Sequence, residues 1–304
     1  MEHLSIRNTT IALLLSLAFH ISDAFAMDYA NPELLTSVEA LERMIAIKPT
    51  KKSNGPRVID VRMPKDYREG HIPGAINIPY TDLTDPHAAV AGALKSDAAL
   101  ADLLGRNGIG QKSEIVLYDD QGGFRAARLF WLLEYYGHRN VSMLNGGIQS
   151  WTGSGLKLAR ADGSVPANVS QAGGEFEATV FSITQSPRRF ASADTILNHR
   201  GDKNTVVVDV RPAKMFAKGH IPWAKNVPWK QNLAANGMLK SADDLMAHFA
   251  AKGIAPGNHV IIHCQTGEAS AHTYFTLRVL GFPRVRTYHR SWAEWGSDPS
   301  LPST

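Results

Sequence analysis

VIDVRMPKDYREGHIPGAINIPY, residues 58–80, returns further down the chain as VVDVRPAKMFAKGHIPWAKNVPW, residues 207–229. GHIP recurs, and Ala, Asn and Pro follow it at matching places. Two more pairs of blocks keep the same order. EIVLYDDQGGFRAARLF (114–130) aligns with HVIIHCQTGEASAHTYF (259–275), and EYYGHRNVSMLNGGIQSW (134–151) with RVLGFPRVRTYHRSWAEW (278–295). Three ordered pairs mean two copies of one domain rather than a short-period solenoid. Each copy alternates short apolar runs (VIDV, IVLY; VVVDV, VIIH) with helix-like stretches such as FRAARLFWLLEYYG and ASAHTYFTLRVLG, several of which end in Gly. That alternation predicts an α/β fold: two tandem domains, each a parallel sheet with helices on both faces.

The remaining chain sets the limits. Residues 153–178 are rich in Gly, Ser and Ala and read as a linker between a first domain at 27–152 and a second at 179–304. With 304 residues, 44% hydrophobic and 20% charged, the composition is globular and long enough for two cores. A net charge of +4 without a dense basic run excludes nucleic acid as the expected partner. IALLLSLAF followed by Ala24-x-Ala26 has the form of a leader removed after Ala26. It is shorter than the about 20 residues of a membrane span. The expectation is a periplasmic or secreted protein, free of the membrane once the leader is cut.

Export sharpens the reading of Cys264, the only cysteine. It cannot form an internal disulfide, so it is either inert and buried or kept for chemistry. VIIH before it and a helical pattern after it place it where a parallel strand ends, the position of ligand sites in open α/β sheets. The amides of Gln265, Gly267, Glu268, Ala269 and Ser270 can curl into a nest at a helix start. Such a nest holds an anion and favours a thiolate.

These motifs together (DVR…GHIPGAINIP, DVR…GHIPWAKNVP, HCQTGEAS before a helix, SWAEW) resemble the tandem rhodanese sulfurtransferases over residues 30–296. The resemblance implies a silent first domain, and Asp119 indeed stands where the second copy has Cys264. It implies a two-stage reaction, in which Cys264 takes sulfur from a small donor as a persulfide and yields it to cyanide, a thiol or a thioredoxin-like protein. It implies no metal, no organic cofactor and a monomer that builds its own site. In the branch acting on 3-mercaptopyruvate, a loop hydroxyl joins a His and an Asp of the first domain. The matching positions are Thr266, His71 and Asp60, which would form a proton relay. His71 equally fits a structural role, because its mate His220 lies in the other copy of GHIP; Asp60 and Asp209 could simply cap strand ends.

The chain departs from the family in three places. CQTG lacks the cations of the thiosulfate branch. Met215 stands where the mercaptopyruvate branch has an arginine. Glu268 puts a carboxylate beside the thiol, which opposes a second negative charge. Arg211 and Arg290 are the expected substrate-side cations that offset it. The competing readings are a silent sulfur carrier and a cysteine phosphatase. The latter requires Cys-x5-Arg, and position 270 is Ser.

Overall fold

The computed structural model describes residues 29–47, 55–160 and 177–304. All of the expected leader, and residues 161–176 of the expected linker, lie outside them.

The repeat folds as two parallel sheets. In the first, β1 (Leu35–Thr36), β2 (Arg57–Asp60), β3 (Ile76–Asn77), β4 (Ile115–Tyr118) and β5 (Val141–Leu144) take the order β1-β5-β4-β2-β3. In the second, β6 (Thr205–Asp209), β7 (Lys225–Asn226), β8 (His259–His263) and β9 (Val285–Thr287) take the order β7-β6-β8-β9, and a single parallel bridge, Phe190 to Thr287, stands where the first sheet has β1. β2 and β4 are buried along their whole length, as strands covered on both faces must be. The fold expected from the sequence is the fold observed.

Helices cover both faces. In the first domain α1 (Val38–Ala46) and α5 (Gly147–Gly153) lie on one side, and α3 (Asp97–Arg106) and α4 (Ala126–Tyr135) on the other, with the short α2 (Pro64–Glu69) after β2. The second domain repeats this with α6 (Ala193–Asn198), α7 (Ala213–Phe216), α8 (Ala242–Ala250), α9 (Glu268–Val279) and α10 (Ser291–Trp295). α4 and α9 pack on each other, so one apolar core runs through both domains. Phe130 meets Phe275 edge to face, with centroids 4.9 Å apart. Arg278 pairs with Glu134 at 3.0 Å.

The ends of the domains cross over. The Asn31 amide donates to the Val279 carbonyl of the second domain, whereas Thr179, Thr184 and Ser186 donate to carbonyls of the first. The second domain's own elements therefore begin after Ser186.

Candidate active site

β8 delivers Cys264 at its carboxyl end, and Gly267, with φ of 99°, turns the chain into α9. A side chain there is disfavoured twice. The backbone is left-handed, and a Cβ would meet the His289 carbonyl and the Arg128 guanidinium, each at 2.4 Å. The turn aims the Gly267 amide at Cys264 Sγ, 3.0 Å away. The hydroxyls of Ser270 and Ser291 lie 3.7 and 3.8 Å from the sulfur. Cys264 is 2% exposed.

A strap from β9 into α10 clamps the loop. Trp292 and Ala293 amides donate to the carbonyls of Cys264 and Gln265, and Ser291 Oγ accepts from the Cys264 amide at 3.0 Å. Ser291 is the only non-glycine among the described residues with positive φ, 56°. Strain of this kind persists where surrounding bonds over-determine the backbone, as they do here. Beside the strap a cleft of about 300 Å3 opens between the domains, lined by Lys95, Tyr135, Phe190, Tyr288, His289 and Arg290 among others.

The first domain shows what such a loop binds. Asp119, the mate of Cys264, is fully buried. Its Oδ1 accepts from the Gln121 and Gly123 amides, both at 2.8 Å, and its Oδ2 from Arg125 at 2.7 Å and Ala126 at 3.0 Å. Four amides converge on one carboxylate, whose oxygens lie one atom beyond the atom attached to Cβ. By the alignment of the copies, the same positions in the second domain are Thr266, Glu268, Ser270 and Ala271.

No hydrogen bond links the three residues of the expected relay, although the Asp60 charge lies close enough to act on His71. Both Asp60 oxygens are held by the Arg62 guanidinium (2.6 Å at closest), and Tyr118 donates to Oδ2 at 2.8 Å. His71 Nδ1 bonds the Tyr67 carbonyl, its ring stacks on Tyr67 at 3.9 Å, and its backbone pairs with Ala159. His220 does the same with Phe216 and Thr304. Each GHIP histidine thus fastens the end of its own domain. The Thr266 hydroxyl forms no hydrogen bond with either residue.

The expected cations are also engaged elsewhere. Arg211 repeats the Arg62 clasp on Asp209, is 3% exposed on its side chain, and reaches the loop only at Gln265 Oε1, 3.4 Å away. Arg290 pairs with Glu294 at 2.8 Å and lines the cleft. His289 is neutral: burial, helped by Arg128 and Arg290, pulls it down to about 3. The cation beside Glu268 is Arg128 of α4, in the other domain. It is fully buried and donates from Nη1 to the Thr266 carbonyl at 2.5 Å and from Nη2 to the Gly92 carbonyl. Burial pushes its pKa down, and the charges of Glu268 and Cys264 pull it back up. The sequence held one clue to it, a lone arginine inside the otherwise apolar run AARLFWLL. Among the described residues no cluster of His, Cys, Asp or Glu could hold a metal, and no helix is long and apolar enough to cross a membrane.

Two parallel α/β domains thus carry equivalent loops, one closed by four amides on a carboxylate and its twin turned onto a thiol by the Gly267 amide. Residues 37–154 and 192–298 both match the rhodanese-like domain. The chain belongs to the rhodanese family, as a tandem two-domain member. It is 31% identical over 297 residues to the sulfur carrier protein TtuD of Thermus thermophilus, covering 91% of this chain and 98% of that one. It is 33% identical over 255 residues to a thiosulfate sulfurtransferase of Pseudomonas aeruginosa, with 81% and 89% covered. The solved 3-mercaptopyruvate sulfotransferase SseA of Escherichia coli superposes with a TM-score of 0.71 at 26% identity, covering 85% of this chain and 98% of that one.

Proposed function

We propose that this sulfurtransferase carries sulfur on Cys264 as a persulfide, taking it from thiosulfate or 3-mercaptopyruvate and passing it to a thiophilic acceptor. The Cys264 thiolate attacks the donor's transferable sulfur. The bond from that sulfur to the rest of the donor breaks, and sulfite or pyruvate enolate leaves with the electron pair. An acceptor such as cyanide, a small thiol or a thioredoxin-like thiolate then attacks the outer sulfur, and the Cys264 thiolate departs.

The observation that carries this reading is Asp119. A carboxylate oxygen and the outer sulfur of a persulfide both lie one atom beyond the atom attached to Cβ. The four amides on Asp119 therefore support a matching cradle for Cys264–S–S⁻. The lack of a hydroxyl–His–Asp relay favours a donor whose leaving group departs as a stable anion, as sulfite does. The leader-like residues 1–26 support the same chemistry outside the cytoplasm, and a loop clasped by Arg128 from the same chain supports a monomer.

The test is intact mass after incubation with each donor. Wild type gains one sulfur atom and Cys264→Ser gains none; no gain with any donor overturns the proposal. Repeated turnover to cyanide separates an enzyme from a protein that only stores and hands over one sulfur.

A further inference from the structure

Arg128 is a charge in the wrong place by ordinary standards. A fully buried guanidinium is costly unless an anion answers it. Among the described residues it forms no ion pair: two of its N–H groups go to backbone carbonyls, and its buried Nε has no partner. The anionic groups that act on it are Glu268 and Cys264.

The packing shows that this position is built. Gly267 has no room for a Cβ because the Arg128 guanidinium lies against it, with Cζ 3.1 Å from where that atom would stand. Gly92, whose carbonyl holds Nη2, is itself pressed on the loop: a Cβ there would meet the Thr266 carbonyl oxygen at 2.4 Å. Guanidinium, loop turn and the 92 segment therefore interlock across the domain boundary.

The two halves are not alike in this respect. The alignment puts Thr273 opposite Arg128, and Thr273 accepts from Asn232 within its own domain. What the second domain offers the Asp119 loop is His272, on the Gly122 carbonyl at 3.1 Å, and burial holds that histidine down to about 4 and neutral. The loop closed on an Asp side chain meets a neutral histidine. The loop closed on a thiol meets a guanidinium.

We propose that Arg128, contributed by the domain that lacks a cysteine, is the positioning residue and fixed cation of the Cys264 loop, and that its charge, set against Glu268, determines how readily Cys264 carries anionic sulfur. This deepens the sulfur-transfer reading and rests on it for its biological sense. The other titratable and charged groups around the sulfur are already settled. His263, His272 and His289 are neutral, held down to about 4, 4 and 3 by burial. Arg211 and Arg290 are paired with Asp209 and Glu294.

The test titrates Cys264 directly by the ultraviolet absorbance of its thiolate, with Cys264→Ser as the blank; a single cysteine makes the difference signal unambiguous. Arg128→Met should move the pH midpoint upward by about one unit, a tenfold smaller thiolate population on the acid side of the midpoint. Arg128→Lys keeps the charge but not the fork, so it should return the midpoint most of the way while thermal stability stays lowered. Glu268→Gln should move the midpoint downward. Unmoved midpoints in folded Arg128→Met and Glu268→Gln overturn the proposal. If Arg128→Met does not fold, an unmoved midpoint in Glu268→Gln overturns it alone. No sulfur donor enters the titration. Shifted midpoints in a protein that loads no sulfur would therefore sink the proposed reaction and leave the role of Arg128 standing.

Discussion

Gly267 is where backbone, neighbouring domain and chemistry meet, so it is the residue least open to change. Gly267→Ala adds one methyl to a left-handed position already touched by a carbonyl and a guanidinium at 2.4 Å. Strain and displacement together should cost about 2–4 kcal/mol, read as a lower urea midpoint, and abolish sulfur loading. Gly257→Ala, whose Cβ meets nothing within 4 Å, is the control and should stay within about 0.5 kcal/mol of wild type. A Gly267→Ala protein as stable and as active as wild type would show the loop to be looser than described. The GHIP histidines give a second prediction. His71→Ala and His220→Ala lose matching bonds and matching ring contacts. Each should cost about 1 kcal/mol and leave transfer within about threefold; a collapse of kcat/KM in His71→Ala alone would restore the relay. Here the sequence could be read two ways. DVR and GHIP recur in both copies, including the one without cysteine, and that duplication pointed to structure. The pairing of Arg62 and Arg211 with an acidic neighbour is a reading the sequence also offers, and the structure identifies that neighbour as the Asp two residues before each.

At the scale of elements, the central strands β2, β4, β6 and β8 and the long helices α1, α3, α4, α8 and α9 were legible, because apolar runs, period and Gly stops agree with packing; the remaining strands β1, β3, β5, β7 and β9 were not. The short α2 and α7 were not: PKDYRE and AKMF are too brief to show a period, and each starts at a proline, Pro64 as the first residue of α2 and Pro212 just before α7. Nor was it legible that α4 and α9 face each other: α4 is apolar nearly all round, and α9 is buried nearly all round with its polar residues spread among the apolar ones, so neither shows a preferred face in sequence. Their polar contacts carry the specificity. Glu134 of α4 takes Arg278 at 3.0 Å and the Tyr274 hydroxyl of α9. Removing it leaves a largely buried guanidinium and a buried phenol without their anion, so Glu134→Ala should destabilise by about 3 kcal/mol. Calorimetry would show this as a lower Tm, and separation of the two domains' unfolding transitions would mark the interface as the part lost. An unchanged Tm would mean that the apolar contacts alone fix the helix pair.

Over the whole molecule, the shared core makes acid the natural way to open it. His263, His272 and His289 sit in or beside that core with pKa values depressed by burial to about 4, 4 and 3, whereas in the unfolded chain each titrates near 6.5. Between those limits the unfolded state binds protons that the folded state refuses. The stability these histidines allow is therefore complete above pH about 6.5 and is lost as pH falls toward 4. Near pH 5 unfolding takes up close to three protons, a slope of about 4 kcal/mol per pH unit. Two of the three, His272 and His289, border the opposite domain: one bonds the Gly122 carbonyl, the other stacks on Trp131 at 5.5 Å. The domain boundary should thus loosen first, carrying Arg128 away from the Cys264 loop before either sheet unfolds. Urea midpoints measured from pH 7.5 to 4.5 should fall steeply below 6.5. His272→Gln can keep the donation to Gly122 without a titrating ring, so it should remove about one third of the slope. A wild-type midpoint that stays level between pH 7 and 5, or a His272→Gln slope equal to that of wild type, would show that these rings are not what couples the two domains to pH.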